Sequence, residues 1–461
     1  MAQAAVVVRE DAPGDKRLVA YVVAGSEELA DSRDGSGVGE AGRAGEQVEE
    51  WRDVYDTLYA DGSDTGGTGG TGGVGAGGLL EADFTGWNSS YSGEPIPLAE
   101  MRVWRDAAVA RVVESAPRRV LEIGVGTGLL MGPVIAGTGA GAGTGTGTGA
   151  GTGAGADVGA GAGAGVGTGV EEYWGTDFSA PVIERLGRQV AGVPWAGRVT
   201  LRCQPADVLD GLPVGYFDVI VLNSVVQYFP DGEYLAGVLD GVLGLLAPGG
   251  RILVGDVRHR GALRSLHSAV QIGRAGEQGR TGRVRTAVEH AVLRDKELVI
   301  DPDFFTAWAR GRAGVSGVDV RLKRGVPHNE LTRYRYETVL HTGPVRSLAD
   351  VCVVPGRSVE SLEELAGRLT PGLVVRVTDL VNPRTAAETA AARALTRNVP
   401  LEQVREHLDG PVPGVLADPE ALVVWGGEHG LRVLITSSPQ GLEYYDALLL
   451  PQDTTTDTPD H

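Results

Sequence analysis

Residues 120–130, VLEIGVGTGLL, decide the fold. Val120, Leu121 and Ile123 form a short apolar run of the kind that becomes a buried parallel strand, with Glu122 set into it beside three alternating glycines. Gly124, Gly126 and Gly128 carry no side chains to hold a ligand off the backbone, and they let the chain turn sharply into a helix. A strand running into such a turn predicts a cofactor site.

Two readings compete for the turn. A dinucleotide site needs G-x-G-x-x-G to cradle a pyrophosphate at a helix N-terminus, whereas here the pattern is E-x-G-x-G-x-G. The carboxylate of Glu122 repels a diphosphate. It suits a cationic cofactor such as S-adenosylmethionine (SAM), which carries a sulfonium and an ammonium.

Working outward, 71 glycines among 461 residues mean that much of the length never packs. A net charge of −19 opposes nucleic acid as a partner. Cys203 and Cys352 are too few for a disulfide framework or a zinc cluster, so no metal site is expected. No apolar run approaches the roughly 20 residues that span a bilayer, so no membrane partner is expected and a cytoplasmic protein is the default.

Upstream, 5–8 and 18–23 read as β-strands around a polar hairpin loop, and 46–59 as a helix. The Gly/Thr tract 62–78 buries nothing and reads as disordered, and the tract 137–169 reads as a tolerated loop insertion. Between them, Trp87 to Tyr91 precede Pro95 and Pro97, and the segment reads either as a loop with aromatic plugs or as a cofactor lid carrying Tyr91.

Downstream, 172–175 forms a strand leading to Asp177 and Phe178. An acidic residue at the end of the second strand of a doubly wound sheet takes ribose hydroxyls. Asp207 and Val208 follow a third strand, where a carboxylate meets the adenine amino group. Asn223 and Ser224 end the apolar fourth strand, 217–222. Pro248, Gly249 and Gly250 form a turn before a fifth strand, 251–254. In the LTRYRYETVLH strand, Tyr334, Tyr336 and Thr338 are expected on one face. The arginine-rich run 258–285, against an acidic background, is a candidate docking surface carrying Arg258, Arg260 and Arg264.

The motifs VLEIGVGTG, YWGTDFS, NSVVQYFP and GGRILVGDVR, with GWNSSYSGEPIP before them and PHNELTRYRYE after, resemble the methyltransferase domains embedded in nonribosomal peptide synthetase adenylation domains. PGDKRLVAYVV, 13–23, is similar to the adenylation C-terminal subdomain. The resemblance implies a class I SAM-dependent methyltransferase, an α/β Rossmann-like doubly wound sheet, with a small C-terminal α/β subdomain and an N-terminal adenylation remnant. The expected boundaries are 1–24 for the remnant, 25–45 for a linker, 46–344 for the methyltransferase, 345–451 for the α/β subdomain and 452–461 for a disordered tail. Neither an adenylation core before Met1 nor a carrier motif after Pro451 appears, so the expectation is a synthetase fragment, a truncated gene product or an enzyme acting in trans.

The implied reaction is SAM-dependent N-methylation of the α-amino group of an aminoacyl thioester on a carrier protein. Its implied partners are the aminoacyl-loaded carrier with its phosphopantetheine arm and other synthetase domains. His328 or Glu330 is the candidate proton acceptor, and Asn329 and Tyr334 are candidates to orient the amine. The alternatives are a free-standing small-molecule O- or N-methyltransferase, or an idle SAM-binding insert.

Overall fold

The computed structural model describes the backbone of 3–10, 16–23 and 38–61, and residues 83–84, 86–137, 169–276, 279–345, 351–370 and 372–452. The tract 62–78 and residues 453–461 of the tail, expected to be disordered, and the interior of the expected loop insertion, 138–168, lie outside the described residues. The chain divides into two compact units, Met1–Glu50 and Trp51–His461. In the first, β1 (Gln3–Glu10) and β2 (Lys16–Val23) pair antiparallel from Gln3↔Val23 to Glu10↔Lys16. Helix α1 (Val38–Asp61) crosses the boundary between units and reaches back into the segment expected as linker.

The second unit is built on a seven-stranded sheet ordered β5-β4-β3-β6-β7-β9-β8. Helix α2 (Leu98–Val113) leads into β3 (Arg119–Ile123), which passes through the glycine turn into the short helix α3 (Met131–Ala136). Then follow β4 (Glu172–Asp177), α4 (Ala180–Val190), β5 (Val199–Cys203), β6 (Phe217–Asn223), α5 (Gly232–Leu243) and β7 (Leu246–Arg258). These five strands run parallel, and the central β3 pairs with β4 on one side and β6 on the other. Its end is therefore the point where the winding reverses, the place where open α/β sheets form a ligand crevice.

Side-chain alternation along β3 explains why it sits at the centre. Leu121 and Ile123 join one buried cluster, with Phe217, Ile220, Leu239 and Tyr336. Val120 joins the opposite one, with Val109, Met131, Tyr173 and Leu186.

The chain continues through α6 (Leu263–Arg274), α7 (Thr281–Arg294) and α8 (Asp303–Ala309) to β8 (Gly317–Leu322), a helical turn α9 (Glu330–Arg333) and β9 (Arg335–His341). Strand β9 lies antiparallel to both β7 and β8.

Two expectations change here. The Pro248–Gly250 turn is a bulge inside β7, because pairing with β6 steps from Phe217↔Leu246 to Val219↔Arg251. Tyr334 lies before β9 and not within it, because Asn329 Oδ1 accepts the amides of Leu331 and Thr332 and so starts a helical turn. Only Tyr336 and Thr338 share the strand face.

The C-terminal part holds β10 (Cys352–Pro355), α10 (Leu362–Arg368), β11 (Val375–Val381), α11 (Ala386–Thr396), α12 (Leu401–Asp409), α13 (Pro419–Glu428), β12 (Leu431–Ser437) and β13 (Tyr444–Pro451). Its strands form a separate sheet ordered β10-β11-β13-β12. More than a flank, it is stapled to the rest through an apolar cluster joining Ile272, Val284 and Val288 to Ala391, Leu395, Leu401 and Val404.

Candidate active site

All three glycines of the turn have positive φ, +76° at Gly124, +51° at Gly126 and +80° at Gly128. L side chains rarely adopt that region. A Cβ on Gly124 would also fall 2.0 Å from Val225 Cγ2. The turn is fixed to β4 from both sides. Thr176 O accepts the amides of Gly124 and Val125, and Asp177 Oδ2 accepts the amide of Gly126 at 3.0 Å.

Asp177 Oδ1 accepts the Ser179 amide at 3.0 Å, so each oxygen of this buried carboxylate has one bond and spare acceptor capacity. Burial raises its pKa, against the backbone amides of Ser179, Gly126 and Phe178. Ser179 occupies the N-cap position of α4, but its hydroxyl donates to Asp56 Oδ1 and caps no amide of that helix.

Glu122 behaves differently from expectation. Its side chain is on the Val120 face of β3 and accepts the Tyr173 hydroxyl at 2.6 Å. Burial pushes its pKa up to about 8, against the Tyr173 hydrogen bond and with help from the charge of Asp177. This burial favours the neutral carboxyl over the standing negative charge expected from the sequence.

At the end of β6, Asn223 is buried and Ser224 takes φ +57°. Asn223 Nδ2 donates to Ser224 Oγ at 3.2 Å, and Ser224 Oγ donates to Asp256 Oδ2 at 2.9 Å. Asp256 is a functional candidate that sequence reasoning passed over. It is fully buried, has φ +61°, and lies where β7 breaks register against β9. Trp104 Nε1 donates to it at 3.0 Å and Arg335 pairs with it at 2.5 Å, with Lys323 Nζ 3.8 Å away. Burial alone would raise its pKa, but the charges of Arg335 and Lys323 and the Trp104 and Ser224 bonds lower it. The only local signal was a carboxylate closing an apolar strand in GRILVGDVR.

Helix α1 supplies a second unanticipated part. Trp51 and Tyr55, one helical turn apart, pack their rings 4.8 and 5.1 Å from that of Tyr228, and Tyr55 meets the edge of Phe178. Arg52 stands over Phe178 at 5.9 Å. The aromatic i, i+4 spacing in WRDVYD was the legible sign.

The late motif is spent on internal contacts. His328 Nε2 pairs with Asp418 Oδ2 at 2.8 Å, and Arg384 forks onto the same carboxylate. Asn329 caps α9 with its oxygen, which accepts the Leu331 and Thr332 amides, and donates one Nδ2 hydrogen to Glu100 at 2.7 Å. Glu330 accepts the Ser90 amide at 2.7 Å and its hydroxyl at 2.9 Å, which ties this motif to the GWNSSY segment. Tyr334 and Tyr91 share a 2.6 Å hydroxyl contact, so Tyr91 is grouped with the late motif instead of the glycine turn. Burial raises the pKa of both tyrosines.

Asp207 and Val208 lie exposed after β5. Beside Asp207 is the Tyr234 phenol, whose pKa rises through burial and its hydrogen bond to that carboxylate.

Two arginines of the basic run are corrected. Arg258 is buried and forks onto Asp295 with two 2.8 Å bonds, and Arg264 forks onto Glu289. Of the three, only Arg260 is exposed without such a pair.

A family model described as a methyltransferase domain matches residues 139–252, starting after the glycine turn. The chain is 40% identical over 457 residues to a probable non-canonical nonribosomal peptide synthetase, CymA, of Salinispora arenicola, covering 98% of this chain and 5% of that protein. It is 35% identical to chondramide synthase cmdD of Chondromyces crocatus, over 74% of this chain and 8% of the synthase. Enniatin synthetase of Fusarium oxysporum is 30% identical over 73% of this chain and 10% of its own length. The chain thus spans a tenth or less of these relatives. No helix among the described residues is long and apolar enough to cross a membrane.

Proposed function

Taking as premise that the chain carries a SAM-dependent methyltransferase domain of the kind embedded in nonribosomal peptide synthetases, we propose that it methylates the α-amino nitrogen of an aminoacyl thioester held on a carrier protein. The observation that carries this reading is the 40% identity to a nonribosomal peptide synthetase across 98% of the chain. The cytoplasm is the proposed compartment.

The residues at the β3 turn fit the cofactor. Asp177 has acceptor capacity left for two hydroxyls, the left-handed glycines keep the turn bare of side chains, and Phe178, Tyr55 and Tyr228 offer aromatic surface beside it. Asp207 and Val208 are proposed at the base, and Asn223 and Ser224 at the strand end. Bound S-adenosylmethionine supplies a methyl carbon activated by a sulfonium.

What remains for the protein is to hold a neutral amine in line with that carbon, a positioning contribution of up to ~7–11 kcal/mol in ideal cases. Asp256 fixes Ser224, Trp104 and Arg335 around one buried carboxylate, and the Ser90–Glu330 and Tyr91–Tyr334 contacts hold the leading segment against the late motif. An unperturbed α-amino group has a pKa of about 7.7–8.0, so the free base is accessible near neutral pH without a strong protein base. This agrees with His328 and Glu330 being engaged elsewhere.

The test compares turnover of an aminoacyl-loaded carrier with that of the same free amino acid. The loaded carrier is expected to be the better substrate by a wide margin, since it adds docking energy. Equal turnover of the two overturns the reading.

A further inference from the structure

Two strained strand ends meet beside the glycine turn. Ser224 follows β6 at φ +57° and Asp256 stands near the end of β7 at φ +61°, and these two non-glycine residues of the left-handed region are hydrogen-bonded to each other. Backbone strain of this kind persists where surrounding contacts over-determine it, and it clusters at functional sites. The next residue, Val225, stands directly against the turn, since a Cβ on Gly124 would fall 2.0 Å from its Cγ2. On the other side of β3, Phe178 follows β4, and the Tyr55 ring bridges it to Tyr228 beyond β6, at 6.2 and 5.1 Å. The crevice therefore runs from the end of β4 across the turn to the end of β6. With the ribose proposed at Asp177 on the β4 side, the β6 side is left for the reacting groups.

Hydrogen bonding fixes which way the Ser224 hydroxyl works. Its Oγ donates its one hydrogen to Asp256 Oδ2 at 2.9 Å and accepts Asn223 Nδ2 at 3.2 Å, which leaves one lone pair. Asp256 is itself held by Trp104 Nε1 and Arg335. Burial would raise its pKa, but the charges of Arg335 and Lys323 outweigh that and keep it an acceptor. The hydroxyl thus has no hydrogen left to donate and presents an oxygen that accepts. Of the three side chains at these strand ends, Asn223 and Asp256 are buried, whereas Ser224 keeps part of its surface open.

A neutral amine about to be methylated needs such an acceptor. Its lone pair has to point at the methyl carbon, so its N–H bonds are what a protein can hold. That lone pair forms the new N–C bond while the C–S bond breaks with its electron pair staying on sulfur; positive charge passes to nitrogen, which then gives a proton to water. A held N–H becomes a stronger donor as this charge builds, so its acceptor contributes more in the transition state than in the ground state. We propose that Ser224 Oγ accepts an N–H hydrogen bond from the substrate's α-amine, with Asp256 as the positioning residue that keeps Ser224 turned as an acceptor. The proposal rests on the amine-methylating reading above, and it moves Ser224 from the cofactor to the substrate.

Parent and variants are compared with SAM and an aminoacyl-loaded carrier. Ser224→Ala and Ser224→Gly both remove the acceptor, and glycine suits the left-handed backbone. Each is expected to lower kcat about thirtyfold, with KM for the carrier and SAM affinity by calorimetry within about twofold of the parent. Asp256→Asn is expected to lower kcat about tenfold in the parent and to add nothing in the Ser224→Ala background, because Asp256 acts through the hydroxyl. Parental kcat in both Ser224 variants, or SAM affinity that falls in step with kcat, overturns the role of Ser224. Losses that multiply in the double variant overturn that of Asp256. A parent protein that leaves the loaded carrier unmethylated overturns the amine-methylating reading, and this assignment with it.

Discussion

Gly124→Ala separates two forces that act on one residue. The backbone at φ +76° disfavours any L side chain, by roughly 1–2 kcal/mol. The new methyl also lies 2.0 Å from Val225 Cγ2, and overpacking of this kind typically costs about 1–3 kcal/mol. Together the variant should lose about 2–5 kcal/mol in urea denaturation and most of its SAM binding, because the turn must move. Val225→Ala removes the obstructing methyl groups and leaves φ untouched. The double variant should therefore be more stable than the sum of the single effects by about 1–3 kcal/mol, the packing share alone. SAM affinity should return only in part. Gly124→Ala at parental stability, or a double variant that shows simple additivity, would refute this account of the turn.

Asp177→Ala removes acceptors from two amides and from the proposed ribose contacts, each a charge-assisted bond of ~1.5–3 kcal/mol, so calorimetry should show SAM affinity down tenfold or more; unchanged affinity removes Asp177 from the site. Glu122 is raised from its ordinary 4.5 to about 8, so the folded state holds its proton more tightly than the unfolded one. Its contribution is fully present below about pH 4.5 and is lost as pH rises through about 8, so the parent's denaturation midpoint should fall over that window more steeply than that of Glu122→Gln, which stays neutral. Parallel pH profiles would show that Glu122 is ionised in the fold. Arg258→Ala strips a buried partner from Asp295 and should cost about 3–5 kcal/mol, whereas Arg264→Ala, in a pair nearly half exposed, should stay within about 1 kcal/mol on the same denaturation assay.

These contrasts mark what the sequence makes legible. The strand-glycine-helix passage at 120–130 is a local pattern, and so are the apolar β6 and the alternation of helix and strand after β10. What escapes is pairing at a distance. Glu330 looks like a free base until its carboxylate meets Ser90, 240 residues away. Asp256 looks like a strand end until Trp104 and Arg335 converge on it. Within the run 258–285, Arg258 and Arg264 read as free cations because the acids that pair with them, Asp295, Glu297 and Glu289, lie beyond its end. Strand β13 and helix α12 passed unread, the one a short apolar stretch after a turn and the other a helix with only three apolar residues, Leu401, Val404 and Leu408.

The central claim is most directly tested by where the methyl group goes. The protein is incubated with S-adenosylmethionine and an aminoacyl-loaded carrier, and the released aminoacyl group is fragmented in a mass spectrometer. The account predicts one added methyl on the α-nitrogen, absent without the carrier. A methyl on a carbon or an oxygen of the aminoacyl group, or an unmodified carrier beside a methylated free amino acid, would contradict it.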